Sequence, residues 1–419
     1  MSATQPSDQR AVVTGLGVVA PTGIGTDVWW KATLAGTSGI DRITRFDPSK
    51  YATQLAGEVS DFEATDFIDN RLIAQTDRWT WMALAAAQMA LDDAGLDPAS
   101  LDPYRMSVIT ASSSGGNEFG QREIQNLWGK GPIFVGAYQS IAWFYAATTG
   151  QISIKYGMKG PCGVLVSEGA GGLEALWHSR RTIRRGVDVV VSGGTEAPIG
   201  PFALTCQQQS YRLSEAREPE QAYRPFDRRA NGYVPGEGGA IVLVERLEHA
   251  QQRGAPTIYG EILGYGATND AHDPHRVPSD GTQLARAISL ALERAGVGPD
   301  EIDAVFADAS GTPEADRAEA EAIRTVFGKR TESVPVTAPK SMTGRLYAGG
   351  APLDVAAALL AMRDGVLPPT INLDEPAAGC ELDFVTGEKR SAKLETVLVN
   401  ARGFGGFNSA MVLGRRGPS

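Results

Sequence analysis

The chain has 419 residues, 42% of them hydrophobic and 21% charged, with a net charge of −10; this is the composition of an ordinary globular protein long enough for two to three domains. The acidic balance argues against a general nucleic-acid surface, and no apolar run reaches about 18 residues, so no membrane span is expected. The polar start MSATQPSDQR lacks the apolar core of a secretion signal, and Cys162, Cys206 and Cys380 make no disulfide framework, so a cytoplasmic, reduced protein is expected.

AVVTGLG, from Ala11, is apolar on both faces and predicts a central strand covered by helices on each side. WMALAAAQMALDDAG, from Trp81, is apolar nearly all round and predicts a buried helix of the kind sandwiched between two sheets. Its end, ALDDAGLDPASLD (90–102), leads to the strand MSVITA (106–111). VLV (164–166) predicts a buried strand, followed by a small-residue turn and the helix LEALWHSRRTIRR. Strand, tight turn and helix N-terminus together are where enzymes place nucleophiles. The apex here, Gly169, has no side chain. VDVVVSGG (187–194) and the Gly-rich GEGGAIVLVER (236–246) predict two further strands.

The second half echoes the first. ALERAGVGPDEID (291–303) leads to AVFAD (304–308), APLDVAAALLAMRDG follows Gly350 as a helix, and GGFNSAMVLGR (405–415) is again a Gly-rich turn entering a strand. Three echoes in the same order predict two similar α/β halves, 10–255 and 256–416.

RAVVTGLGVVAPTGIGTDVWW, the KSM of APKSMTG and RGFGGFNSA resemble the thiolase-type condensing enzymes, the β-ketoacyl synthases, over essentially the whole chain. The resemblance implies a thiolase-like, duplicated five-layer αβαβα sandwich and an active dimer. In that family a Cys at a helix N-terminus takes the growing acyl chain as a thioester, its thiolate held by the helix dipole. Two His residues promote decarboxylation of a malonyl unit and stabilise the enolate. Here Gly169 falls where the Cys stands. In F-A-D-A-S-G-T-P-E-A-D, Asp308 replaces the first His, and in K-S-M-T-G-R, Arg345 replaces the second. Lys340, Asp316 and Glu319 match charged positions that support the site from below. Phe404 matches the mobile phenylalanine beside the nucleophile.

This pattern, with AWFYAATTGQISIKYGMKGP, RPFDRRANGYVPGEGGAI and TGRLYAGGAPLDV, is similar to the chain length factor, or ketosynthase β, branch of bacterial type II polyketide synthases. The branch usually carries Gln at the nucleophile position, an amide linked to malonyl decarboxylation; Gly169 has none. The resemblance implies no catalysis by this chain alone, no cofactor and no metal. It implies a heterodimer with a Cys-bearing ketosynthase subunit, fed by an acyl carrier protein, in which a poly-β-keto chain built from malonyl units grows into a tunnel along the interface. The matching gate positions are Asn117, Gly120 and Ile124 in GGNEFGQREIQNLW, and Phe202. The small Gly120 and medium Ile124 imply room for products longer than the shortest, octaketide class.

Other residues invite blander readings. Cys162 and Cys206 read as small buried hydrophobes rather than displaced nucleophiles. His272 and His275 read as a solvated Pro-rich turn rather than metal ligands, His249 as an exposed helix end and His178 as structural. RRTIRR (180–185) reads as a solvated helix face, with carrier docking as the functional alternative. Two other functions compete: an independent condensing enzyme with an unusual nucleophile, which would acylate itself, and an acyl-binding scaffold outside polyketide synthesis.

Overall fold

The computed structural model describes residues 10–210 and 212–415; the end of the second half at 416 lies just outside them. In chain order the first half comprises β1 (Ala11–Ala20), α1 (Arg78–Asp93), β2 (Met106–Ala111), α2 (Asn117–Lys130), α3 (Ala147–Tyr156), β3 (Gly163–Leu165), α4 (Gly171–Ile183), β4 (Val189–Glu196), α5 (Pro201–Gln208) and β5 (Gly238–Arg246). The second comprises β6 (Gly260–Asn269), α6 (Thr282–Ala295), β7 (Ala304–Phe306), α7 (Pro313–Phe327), β8 (Pro335–Thr337), α8 (Gly350–Asp364), β9 (Thr396–Gly403) and β10 (Phe407–Gly414).

These strands run across the molecule in the order β3-β2-β4-β5-β1-β6-β10-β9-β7-β8. Read outward from the centre, the two halves have the same topology. In each, the central strand pairs antiparallel with the last strand of its half, and the two outer pairings are parallel. The halves meet at β1 and β6 through two residue pairs, Val12 with Glu261 and Val13 with Gly260.

The same backbone contact recurs in both halves. A Cβ at Gly15 or Gly17 of β1 would lie 2.0 Å from Ala90 O or 1.9 Å from Ala86 O of α1. A Cβ at Gly264 or Gly266 of β6 would lie 2.1 Å from Ala291 O or 1.9 Å from Ala287 O of α6. A G-x-G strand and an Ala-rich helix therefore approach backbone to backbone, which any side chain would prevent.

Three apolar clusters define the layers. α1 packs with Val108, Val189 and Ile241 on one outer face. α6 and α7 pack with Val305, Val336 and Val412 on the other. Between them, α4 and α8 pack with strand residues of both halves. The sandwiched helices are thus α4 and α8, and the expectation for the Trp81 helix is corrected. α8 buries every residue from Ala351 to Met362, whereas α1 leaves Gln88 half-buried and Asp92 exposed. An outer helix needs a polar stripe and a sandwiched one has no solvent side.

The VLV strand is not buried. β3 is the last strand of its side of the sheet, its residues are half-buried, and Val166 is 50% exposed. No helix among the described residues is long and apolar enough to cross a membrane.

Candidate functional site

β3 ends at Leu165, and a tight turn at Glu168–Ala170 delivers the chain to the first turn of α4. Gly169 lies in that turn. A Cβ placed there would meet Arg402 O at 2.4 Å and Arg345 Nη2 at 3.4 Å. The space a side chain at 169 would need is therefore filled by neighbouring backbone from the end of β9. The bare glycine is a packing requirement of the present structure.

Asp308 follows β7, and Arg345 follows the turn that holds Lys340. The guanidinium donates to both carboxylate oxygens of Asp308 at 3.1 Å each, and to the carbonyls of Asp308 and Arg402 at 3.1 Å each. Its carbon also lies 5.7 Å from the centre of the Tyr233 ring. Asp308 accepts in addition from Arg402 N–H at 2.9 Å. Burial pushes the Asp308 carboxyl up, but Arg345 and Lys340 outweigh it and hold the group below the usual carboxylate range. The two positions that the resemblance expects to have lost imidazoles hold a buried, charge-assisted fork.

The expected supporting residues are buried around this pair. Glu319 accepts the N–H groups of Asp308 and Ala309 at 2.8 Å each, and an Asn400 amide proton at 3.2 Å. Asp316 accepts from Phe226 and Gly311 N–H, and burial pushes its carboxyl up to about 7. Lys340 pairs with Asp354 at 2.6 Å. Asp354 was not anticipated, although its place near the start of α8, facing Lys340, was available in LDVAAALL.

A cavity of about 290 Å³ opens beside the turn. Ser113, Ser114 and Glu168 form one wall, Asn117 and Phe202 another, and Phe404 and Tyr347 close it. A second space of about 230 Å³ shares Asn117 and Ala203 as its walls. Two of the four expected gate residues, Asn117 and Phe202, therefore face the cavity, and Phe202 N–H donates to Gln121 at 2.8 Å. The other two do not. Gly120 points at Trp143, whose Cδ1 would lie 3.0 Å from a Cβ there. All four positions of α2, Asn117, Gly120, Gln121 and Ile124, fall on one helix stripe; Asn117 and Gln121 line the second space, Gly120 is covered by Trp143, and Ile124 is 48% exposed.

Two further carboxyls escaped the sequence reading. Glu196, at the end of β4, is fully buried and accepts from Ser113 N–H and from Ser114 hydroxyl. Burial pushes its carboxyl up to about 8, and the neighbouring Glu168 adds to this. Glu168 is enclosed but keeps an edge toward the cavity. Its only sequence signal was an acidic residue in a turn of otherwise small ones.

Of the remaining candidates, Cys380 is buried but Cys162 and Cys206 are exposed, contrary to expectation, and Cys206 lines the cavity. Among the described residues no group of three or more His, Cys, Asp or Glu could hold a metal ion. His272 and His275 lie in an exposed loop, with the His275 ring edge-on to Phe404 at 5.5 Å. His249 is not an exposed end: it bonds at 2.5 Å to the fully buried Glu245. His178 is half-buried on α4, and burial lowers its pKa. In RRTIRR, Arg181, Arg184 and Arg185 are exposed, but Arg180 is buried with its guanidinium over Trp177 at 4.7 Å. Burial and the nearby Arg184 lower its pKa to about 10.

Comparison with known proteins gives concordant matches. The β-ketoacyl synthase N-terminal domain family matches residues 8–250 and the corresponding C-terminal domain family residues 259–374. The tetracenomycin polyketide synthase ketoacyl synthase β subunit of Streptomyces glaucescens is 54% identical over 418 residues, covering 100% of both chains. The actinorhodin polyketide putative β-ketoacyl synthase 2 of Streptomyces coelicolor is 51% identical, covering 97% of this chain and 99% of its own. Among solved structures, the ishigamide ketosynthase/chain length factor superposes with a TM-score of 0.90 at 32% identity, covering 97% of this chain and 99% of that one. A type II polyketide synthase acyl carrier protein in complex with its ketosynthase bound to the hexaketide gives 0.89 at 30% identity, with the same coverage.

Proposed function

We infer the role of this chain from one premise: it belongs to the β-ketoacyl synthase family, in the polyketide synthase β-subunit branch. It is the chain length factor of a type II polyketide synthase. Its partner is a Cys-bearing ketosynthase subunit, and an acyl carrier protein supplies the complex. The observation that carries this reading is a paired one. The three positions of the condensing machinery are occupied by Gly169 and the Asp308–Arg345 fork, while the cavity beside them is kept.

The partner surface is read from exposed apolar groups. Trp128 is 83% and Ile133 88% exposed, and Ile124, Phe134, Trp143, Phe144 and Ile154 add to the same stretch of chain between 124 and 154. The half-buried β3 ends its side of the sheet and leaves one strand edge open to pairing. A surface this apolar is costly in water and is characteristic of a permanent interface. Asn117 and Phe202 form the part of the gate that this chain supplies on its own, with Ile124 reaching toward the partner. The mirrored strand order supports reading 10–255 and 256–416 as duplicated halves. A cytoplasmic location belongs to the same reading and is tested by cell fractionation.

No observation favours an independent condensing enzyme. Cys206 lines the cavity, but no imidazole does. Co-expression with the Cys-bearing subunit, followed by reconstitution with carrier protein and malonyl supply, tests the reading. A 1:1 complex whose product mass changes with Asn117 or Phe202 supports it. Acyl transfer by this chain alone overturns it.

A further inference from the structure

Within the silent site, two backbone N–H groups from different elements converge on one oxygen. Gly169 N–H, at the entrance to α4, and Phe404 N–H, just past β9, donate to Glu168 Oε2 at 2.5 and 2.8 Å. Preorganised N–H pairs of this kind polarise a carbonyl where negative charge develops. Here the chain's own carboxyl fills the hole. Glu168 does so from φ +49, a backbone conformation that residues other than glycine seldom adopt.

The second oxygen, Oε1, has no hydrogen-bond partner among the described residues, and Glu168 forms part of the wall of the 290 Å³ cavity with Ser113, Ser114 and Asn117. We propose that Glu168 is a specificity-determining contact for the growing chain: Oε2 plugs the vacated hole and holds the carboxyl rigid, while Oε1 meets ketone oxygens of the poly-β-keto chain inside the cavity. This rests on the chain-length reading above and names a residue through which it acts.

The chemistry fits the substrate class. A poly-β-keto chain carries a carbonyl on every second carbon, so one fixed polar group meets it in steps of two carbons. A chain long enough to bring a carbonyl to Oε1 gains a hydrogen bond there; one a unit shorter does not reach it and leaves the polar atom unsatisfied, and that difference sorts neighbouring lengths. To bond a ketone the carboxyl must donate, which requires its proton. Burial pushes Glu168 up, against the opposing pull of Arg345 and the two N–H bonds, and Asp308 pushes the same way as burial. The fully buried Glu196 carboxyl behind it makes it harder for both groups to ionise together.

The test uses the heterodimer with its carrier protein and malonyl supply, read by product mass. Glu168→Gln keeps an acceptor for the two N–H groups and presents an amide donor to the cavity, so the native length distribution is expected. Glu168→Leu and Glu168→Ala are expected to spread the product over neighbouring two-carbon lengths. The ratio of native to adjacent product should fall about fivefold, the discrimination carried by one net hydrogen bond. A native distribution from either apolar variant in an intact heterodimer overturns the proposal, as does a Gln variant that spreads like Leu. Asn117→Phe in parallel separates the two levels. If it shortens the product while Glu168→Leu does nothing, the chain-length reading stands and Glu168 falls. If it and the Glu168 variants all leave the product unchanged, the cavity itself is not the measuring site.

Discussion

Arg345 grips Asp308 through two parallel hydrogen bonds of 3.1 Å, and both residues are enclosed beside Gly169. Removing one member leaves the other as an uncompensated buried charge. Arg345→Met is expected to lower stability by about 3–5 kcal/mol, read from the denaturant midpoint of the purified heterodimer. The double variant Arg345→Met with Asp308→Asn, whose amide oxygen still accepts Arg402 N–H, should recover much of that loss. The pH dependence has a definite sign. Asp308 has a folded pKa below its ordinary value of 3.8, so its contribution is present above that value and is lost as pH falls through the folded one.

Glu196 behaves in the opposite sense. Its folded pKa, about 8, lies above the ordinary 4.5. Between those values the folded state keeps a proton that the unfolded state has released, so stability from this group declines as pH rises from about 4.5 to 8 and then levels off. Glu196→Gln removes the titration and retains an acceptor for Ser113 N–H. Melting temperatures of the two proteins from pH 5 to 9 should diverge in favour of the variant as pH rises. A constant difference across that range would refute the assignment.

Gly169→Cys does not restore a condensing enzyme. The new Cβ meets Arg402 O at 2.4 Å, so the end of β9 must shift. Overpacking of this kind costs about 1–3 kcal/mol and should appear as a lower melting temperature. No imidazole lines the space at 169, so intact-mass spectrometry after incubation with acyl-carrier thioester should show no added acyl group.

The gate has a directional test. Asn117→Phe fills the wall shared by the two spaces and is expected to shorten the product by one or more two-carbon units; Phe202→Ala should lengthen it. Gly120→Phe is the contrasting control. Its side chain runs into Trp143, so weakened association with the partner is expected instead of a clean length change.

The apolar stretch gives a fifth outcome. Trp128→Glu or Ile133→Glu places a charge on groups more than four-fifths exposed in the single chain. Folding of the chain alone should be nearly unchanged, and size-exclusion chromatography should show loss of the heterodimer.

Much of this was legible in the residues because local pattern and global fold agree. The strands AVVTGLG and VDVVVSGG and the turn at Gly169 fell where they were read. The failures share a cause: each depended on what packs against an element, which periodicity does not encode. The Trp81 helix and α8 are similarly apolar, but only one lies between sheets. VLV is apolar as a core strand would be, yet it ends the sheet. Gly120 and Asn117 sit one turn apart on one stripe of α2, yet Trp143 covers the first and the second lines the cavity. Glu168 and Glu196 were invisible because a carboxyl in a turn or at a strand end is ordinary until its partners are known.

The Arg402 carbonyl over Gly169 has a consequence for the history of the chain. A single substitution that gives 169 a nucleophilic side chain finds its space taken by backbone, the two nearby N–H groups already bonded to Glu168, and a buried ion pair beside it. Undoing any one of these alone is a loss, and only undoing them together could be a gain. The division of labour between the two subunits is therefore a ratchet, secured by steric exclusion rather than by the absence of a thiol.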